Sequence, residues 1–259
     1  DISDIGPHIR WVGNEEGFAG ETNWALLDTA GFSRGSGGPS QDTLNRGNVN
    51  GRNWIPAECD VSIRPGWFYH AEQDSKVKAG TQLMDLYLRS VGRGSNLLLN
   101  VPPDRRGLIH ERDSASLMDF RKYREDFYAH PLARGAKVKV AATRKGTTAA
   151  ALTDGSADTY WAPPDDALLP WVEIDLGSPQ TFNTLVLEEA IQFGQRVSSF
   201  TVSAGEGNTN NVIAQGTTIG HKRILQFAEQ VASRIRIQFT GFKAAPVIKG
   251  IGVYRSAVY

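Results

Sequence analysis

The hydrophobic pattern of the sequence changes near residue 135, and this change limits the fold more than any other feature. Before it, short apolar runs alternate with stretches in which apolar residues recur every three or four positions, as expected for strands and helices in turn. After it, short runs of alternating apolar and polar residues are separated by Gly, Asn, Asp and Pro. The two patterns require different architectures, so the sequence predicts two domains, 1–133 and 134–259.

The first region has the strand and helix order of a parallel α/β protein. The predicted strands are HIRWVG, DVSIRPGWFY and NLLLNV. The other predicted elements are a helix over Leu83–Val91, a helix from an N-cap at Asp113 or Ser114 to Phe127, and a Gly-, Ser- and Asn-rich loop over Gly31–Asn53. This order predicts the C-terminal part of a (β/α)8-type barrel. Because half a barrel would leave two strand edges open, the missing N-terminal half is expected upstream of Asp1.

The second region is predicted to be an antiparallel β-sandwich of about 120 residues, because short strands recur between turn signals. Its predicted strands are KVKVAA, WVEIDLG, TLVLEE, SFTVSAG, RIRIQF and IKGIGVY. The predicted fold class is therefore α/β followed by all-β.

Charge and composition exclude several classes of partner. The 28 basic residues balance the 28 acidic ones, so no net field favours nucleic acid or an anionic membrane, and a neutral partner such as a sugar fits better. No apolar run approaches the roughly 18 residues of a membrane span. Cys59 is the single cysteine, which excludes an intrachain disulfide and a cysteine-based metal site.

Glu15 follows the first predicted strand, where a barrel places its reacting groups. From position alone, the reading of Glu15 and Glu16 as solvated loop charges is favoured over a catalytic role. Four tryptophans lie near acids and Arg10 in the first 70 residues: Trp11, Trp24, Trp54 and Trp67. Aromatic rings beside charged groups suit a sugar site, because the ring covers C–H faces while the charges bind hydroxyls. Core packing is the alternative for each tryptophan.

Several blocks, taken together, resemble the α-L-fucosidases of glycoside hydrolase family 29. They are GPHIRWVGNEEGFAGETNWA, NWIPAECDVSIRPGWFYH, KVKAGTQLMDLYLRSVGRGSNLLLNVPPDRRGLIHERD, IQFGQRVSSFTVSA and IAQGTTIGHKRI. The RWVGNE signature is similar to the subfamily that prefers α-1,3- and α-1,4-linked fucose of Lewis-type glycans. The resemblance covers essentially the whole chain.

The resemblance implies a retaining hydrolase with an aspartate nucleophile and a glutamate acid/base. The acid/base position corresponds to Glu15, and the Trp-hydrophobic-Asp-Gly motif of the nucleophile is expected upstream of this chain. In such an enzyme one carboxylate attacks the anomeric carbon, while the other protonates the leaving oxygen and then deprotonates water.

The resemblance also implies substrate-binding residues, each with a structural alternative. Arg10 is expected to bind fucose or to form a salt bridge at the barrel end, and Trp67 is expected at the C5 methyl end of the sugar. Glu58 is expected to bind substrate or to brace Arg10. Trp54 and Asp60 are expected near the aglycone, with burial and a strand-end cap as alternatives.

The second region resembles the discoidin or coagulation-factor type C fold, which is related to family 32 carbohydrate-binding modules. In that family LTDGSADTYWA would form a calcium loop through Asp154, Asp158 and Thr159, or carbonyls near them. Gly250 stands where the family has a ligand glutamate. We therefore predict no cofactor, with calcium as the less favoured alternative to an Asp-Gly turn packed on Trp161.

The functional prediction is a secreted or periplasmic α-L-fucosidase that removes terminal fucose from fucosylated oligosaccharides. Its partner is the N-terminal half of the same protein, and neither nucleic acid nor membrane is expected. The alternative is a non-catalytic carbohydrate-binding protein that uses the β-sandwich. A third hypothesis gives the sandwich only a packing role.

Overall fold

A computed structural model describes residues 9–29, 38–206 and 209–258, without the side chains of residues 209 and 210. The described chain forms two compact units, which divide between Asp126 and Phe127. No helix within these ranges is both long and apolar enough to cross a membrane.

The first unit alternates short strands with helices. Its elements are β1 (Arg10–Trp11), β2 (Leu26–Leu27), α1 (Gln41–Arg46), β3 (Asn53–Trp54), β4 (Ala57–Ser62), a 3-10 helix (Ala71–Lys76), α2 (Gly80–Arg89), β5 (Asn96–Asn100) and α3 (Glu111–Phe127). β1, β4 and β5 form a parallel sheet in that order, while β2 and β3 form a separate antiparallel pair. The carboxyl ends of β1, β4 and β5 consequently lie at one edge of the sheet.

The two faces of this sheet differ in burial. Ala57, Cys59 and Val61 of β4 are buried, while Glu58 and Asp60 between them are only partly buried. The buried face packs on α2, where Leu83 and Leu86 join Val61 and Ile63 in one apolar cluster. Burial also raises the pKa of the Cys59 thiol to about 11, so this cysteine stays protonated and inert.

The predicted parallel strands of the first region are present, and the structure corrects their limits. The predicted loop 31–53 contains α1 and the start of β3, while residues 31–37 lie outside the described ranges. The predicted strand DVSIRPGWFY ends at Ser62, because the following residues form bends. The predicted N-cap at Asp113 or Ser114 is wrong, since α3 begins at Glu111 and Asp113 lies inside it.

The second unit is mostly sheet. Its elements are β6 (Lys137–Val140), α4 (Ala151–Asp154), β7 (Trp171–Glu189), a 3-10 helix (Ile191–Phe193), β8 (Val197–Glu206), β9 (Thr209–Gly216), β10 (Arg223–Phe242) and β11 (Ile248–Tyr254). All pairings are antiparallel, in the order β11-β7-β10-β8-β9, with β6 also beside β7.

The two long strands give this unit its β-sandwich-like sheet. Residues 172–175 of β7 pair with β6, whereas residues 184–189 pair with β11. Irregular pairing with β10 between Gln226 and Gln230 and between Ala232 and Arg234 separates these two parts. The core of the unit includes Trp161 and Phe239, which are fully buried with ring centroids 6.3 Å apart.

The strands predicted for the second region are found, but two of the predicted runs, WVEIDLG and TLVLEE, belong to the single strand β7. β9 and the first half of β10 were not predicted. β9, TNNVIAQG, contains Asn and Gly, which are uncommon in strands and weaken the alternating apolar signal. The first half of β10, RILQFAEQVA, places apolar residues next to each other and does not alternate strictly.

Candidate active site

The loop after β1 is held in place by two glycines with positive φ, Gly13 and Gly17. A Cβ atom at Gly17 would lie 2.8 Å from Leu86 Cδ2 and 2.9 Å from Val61 Cγ1, so only glycine allows the loop to pack this closely on the sheet. Between the glycines, Asn14 Oδ1 accepts a hydrogen bond from the Glu16 backbone N–H at 3.0 Å. The Glu15 side chain is exposed on this fixed loop.

Glu15 and Trp67 meet although 52 positions separate them in the chain. The Trp67 indole Nε1–H donates a hydrogen bond to Glu15 Oε2 at 2.8 Å. Glu15 follows the end of β1 and Trp67 follows the end of β4, so parallel pairing of these strands brings the two loops together. Glu15, the predicted acid/base, and Trp67, a predicted substrate contact, are therefore in direct contact.

A second tryptophan and carboxylate pair lies on the strands themselves, with Trp11 in β1 and Asp60 in β4. The Trp11 indole Nε1–H donates to Asp60 Oδ1 at 2.6 Å, and Trp11 is 46% exposed. Trp11 lies opposite Glu58 in the parallel register, so Trp11, Glu58 and Asp60 share one face of the sheet. This partly open face offers an aromatic ring and two carboxylates, which suits a polyhydroxyl ligand.

Arg10 lies on the opposite face of the sheet from this group. It is 2% exposed, and its Nε donates to Leu44 O at 2.6 Å. Its Nη1 donates to Trp24 O and Ile55 O, and its Nη2 donates to Asn23 Oδ1 at 2.8 Å. Burial lowers the pKa of Arg10 to about 10, so the group remains a cation near neutral pH.

These contacts make Arg10 a brace for α1, the segment before β2 and the segment between β3 and β4. The predicted alternative, a salt bridge at the barrel end, does not match the acceptors of Arg10, which are three backbone oxygens and one side-chain amide oxygen. Bracing of Arg10 by Glu58 is likewise wrong, because the two residues face opposite sides of the sheet. The predicted contact of Arg10 with substrate stays a prediction.

Trp54 is 44% exposed in β3, where it pairs with Leu26 rather than with the parallel sheet. The burial alternative given for Trp54 is therefore wrong, and its contact with an aglycone stays a prediction. The cap alternative for Asp60 is wrong too, because its described hydrogen bond goes to the Trp11 indole.

Two residues that contact predicted site residues, Trp11 and Asn100, were not themselves predicted as part of the site. Trp11 was noted only as one of four tryptophans, although its place between Arg10 and Val12 in a strand puts it on the opposite face from these two buried residues. Asn100 was not predicted because a Pro-Pro turn follows it. Its Nδ2 donates to Trp67 O and to Ser62 Oγ, both at 3.0 Å.

The predicted calcium loop forms a hydrogen-bonded turn. Asp154 Oδ1 accepts from the Ser156 N–H at 2.7 Å, and Asp154 Oδ2 accepts from Thr159 Oγ1 at 2.8 Å. Asp158 is exposed. Within the described ranges, no group of three or more His, Cys, Asp or Glu is arranged to hold a metal ion.

Comparison with known proteins explains both units. The Alpha-L-fucosidase family model matches residues 26–126, and the F5/8 type C domain model matches residues 137–248. Alpha-L-fucosidase 1 of Arabidopsis thaliana is 38% identical over 262 residues, which cover 98% of this chain and 51% of the relative. The chain belongs to the α-L-fucosidase family, with a C-terminal F5/8 type C domain. It spans about half the length of the curated relatives it matches.

Solved structures of this family have the same fold. The structure of SpGH29 is 37% identical with a TM-score of 0.88, and the match covers 97% of this chain and 55% of that one. A Ruminococcus gnavus GH29 fucosidase in complex with fucose is 32% identical with a TM-score of 0.85, covering 96% of this chain and 51% of that one. The family predicted from the sequence is thereby confirmed, as is the discoidin-like second domain.

Proposed function

We propose that the protein containing this chain is a retaining α-L-fucosidase in which Glu15 is the general acid/base. The observation that carries the proposal is the position of Glu15 at the edge where the parallel strands end, in hydrogen-bond contact with Trp67. Active sites of (β/α)8 enzymes lie at this edge. Relatives named as α-L-fucosidases, and a relative solved with fucose, support the choice of substrate.

The proposed mechanism needs a second carboxylate about 5 Å from Glu15. We propose that an aspartate in the N-terminal half of the protein supplies this nucleophile, and that the same half completes a barrel with β1, β4 and β5. The nucleophile attacks the anomeric carbon while Glu15 donates its proton to the leaving oxygen. Glu15 then removes a proton from the water that releases fucose.

The substrate proposed is a glycan with terminal α-1,3- or α-1,4-linked fucose, by resemblance of the RWVGNE signature. Trp67 would face the sugar, Glu58 and Asp60 would bind hydroxyl groups, and Trp54 would lie on the aglycone side. Comparing kcat/KM for Lewis-type trisaccharides with that for an α-1,2-linked fucoside tests the linkage. A preference for the α-1,2 linkage would contradict this part of the proposal.

Replacing Glu15 by Gln in the full-length protein tests the function, and Glu16→Gln is the matched control. Both glutamates are exposed and adjacent, but only Glu15 contacts Trp67. We expect Glu15→Gln to lower kcat/KM for a Lewis-type glycan by about 10² or more, as for loss of a general acid, while Glu16→Gln keeps wild-type activity. Full hydrolysis by Glu15→Gln would refute the role.

The alternative class, a carbohydrate-binding protein, would give a different result. Calorimetry would then show binding of a fucoside or galactoside by the wild-type protein, with no hydrolysis of any fucoside by the full-length chain.

We also propose a secreted or periplasmic location and activity without a cofactor. The family resemblance supports the location. Activity without a cofactor is supported by a mechanism that needs only two carboxyl groups and water. Fractionation of the source cells tests the location. Loss of activity in EDTA with recovery in calcium would contradict activity without a cofactor and would implicate the loop at Asp154.

A further inference from the structure

We propose that Trp67 is a positioning residue for Glu15 and that Asn100 holds Trp67 in place for this purpose. The inference rests on the proposed function, since it assigns a second task to a residue expected to touch the sugar. It concerns how the acid/base is aimed at the leaving oxygen.

The contact between Trp67 and Glu15 is the first step of the argument. An exposed glutamate side chain has several rotatable bonds and loses rotational freedom only when a partner holds it. The indole N–H at 2.8 Å from Oε2 is such a partner, and it leaves the other oxygen, Oε1, available for proton transfer. Because an indole donates but does not accept, it does not compete for the proton that Glu15 must deliver.

Asn100 and Ser62 hold the backbone on which Trp67 stands. Asn100, at the end of β5, donates through Nδ2 to Trp67 O and to Ser62 Oγ, both at 3.0 Å. Ser62, at the end of β4, donates through Oγ to Gly66 O at 2.7 Å. The ends of two neighbouring strands therefore fix the carbonyl groups of Gly66 and Trp67.

Arg64 anchors the same turn on its other side. Its side chain is fully buried and donates to Asp113 Oδ2 and to Asp74 Oδ1, both at 2.9 Å. Its guanidinium carbon lies 4.7 Å from the centre of the Tyr69 ring. With ion pairs before Trp67 and an aromatic contact after it, the turn has little freedom to move the indole away from Glu15.

This arrangement predicts a dependence on the leaving group. In the first chemical step the Glu15 proton passes to the glycosidic oxygen as the bond between that oxygen and the anomeric carbon breaks and the bond to the nucleophile forms. A 4-nitrophenolate departs without much help from an acid, whereas a sugar alcohol must be protonated. A misplaced Glu15 therefore slows hydrolysis of a glycan more than hydrolysis of the aryl fucoside.

The test compares Trp67→Phe with wild type in the full-length protein, using a Lewis-type trisaccharide and 4-nitrophenyl α-L-fucoside. We expect kcat/KM to fall about tenfold or more for the glycan and about threefold or less for the aryl fucoside. Asn100→Asp, which keeps the shape but loses the Nδ2–H donors, should change the same ratio in the same direction. Phe68→Leu is the matched control, because Phe68 follows Trp67 and is 78% exposed.

The proposal would be overturned if Trp67→Phe lowered kcat/KM equally for both substrates, because Trp67 would then have a sugar contact alone. It would also be overturned if the ratio of the two kcat/KM values were unchanged in both Trp67→Phe and Asn100→Asp. If these variants fold poorly, an NMR measurement still tests the contact between Trp67 and Glu15 directly. In ¹⁵N-labelled protein the indole resonance of Trp67 should shift when Glu15 is replaced by Gln but not when Glu16 is, and the absence of a shift would also refute the contact. Failure of the fucosidase function itself is distinct, since wild type would then hydrolyse neither substrate.

Discussion

Glu189, at the end of β7, makes the stability of the second unit depend on pH in an unusual direction. Its side chain is 1% exposed. Oε1 accepts hydrogen bonds from the backbone N–H groups of Arg196 at 2.7 Å and Val197 at 3.0 Å, and Oε2 accepts one from Gly220 at 2.7 Å. Burial outweighs these three donors and raises the pKa of the carboxyl group to about 7 from its ordinary 4.5.

The sign of the effect follows from which state holds the proton. Between pH 4.5 and about 7 the unfolded chain has lost the Glu189 proton while the folded unit retains it. Raising the pH through this window therefore lowers the free energy of unfolding. At about 1.4 kcal/mol for each pH unit, the difference between 4.5 and about 7 amounts to about 3 kcal/mol, all of it present below pH 4.5 and lost by about pH 7.

Glu189→Gln removes this titration while keeping the size of the side chain. The NH₂ group of the new glutamine will face a backbone N–H, so the variant is less stable at every pH. The informative quantity is therefore the slope of the free energy of unfolding against pH. Urea unfolding from pH 4.5 to 7.5, followed by NMR signals of buried second-unit residues such as Val172, gives the free energy of unfolding. We expect the wild type to lose about 3 kcal/mol more across the window than Glu189→Gln.

Glu188→Gln is the matched control, because this neighbouring carboxylate is partly exposed and paired with Lys222 at 3.2 Å and Lys249 at 3.3 Å. It should keep the wild-type slope. Equal slopes for wild type and Glu189→Gln would refute the reasoning, as would a ¹³C titration that places the Glu189 carboxyl group at its ordinary pKa of 4.5.

Two further predictions concern stability and can be checked by urea unfolding followed by NMR signals of buried residues in the unit that carries the substitution. Asp113→Ala should cost about 3–5 kcal/mol, because it leaves the fully buried Arg64 without one partner of its ion pair, whereas Arg121→Ala on the exposed side of α3 should stay within about 0.5 kcal/mol. Equal effects of the two would contradict the importance of the buried pair. Phe239→Ala should cost about 3–5 kcal/mol, because this side chain is fully buried beside Trp161, and a cost below about 1 kcal/mol would mean that the core collapses around the gap.

Much of the fold could be predicted because its signals are local. The alternation in KVKV and RIRIQF predicts strands with one buried face, and β6 and β10 contain these residues. The first and last residues of the strands were harder to predict than their presence, because long-range pairing decides where a strand stops. β7 continues through Gly177 because β10 pairs with it on both sides of that glycine, which the sequence presents as a turn signal.

The candidate site shows the same division. The position of Glu15 after a short apolar strand was enough to place it at the edge where a parallel sheet carries its chemistry. Its contact with Trp67 was not predictable, because the two residues meet only when β1 and β4 pair in one register. For Asp113 the sequence-based prediction was wrong. Its sequence context favours a helix N-cap, whereas its carboxylate accepts a hydrogen bond from Arg64, 49 positions away.

By itself, the sequence determined the change from α/β to all-β structure, most of the strand segments and the family, since each depends on short-range patterns or motifs that need no partner. The tertiary structure decided which polar groups meet: Trp67 with Glu15, Trp11 with Asp60, and Arg10 with backbone oxygens instead of a carboxylate. The physical reason is that a periodic pattern shows which side chains share a face. Hydrogen bonds and ion pairs depend on distances between residues that strand pairing, not sequence spacing, brings together.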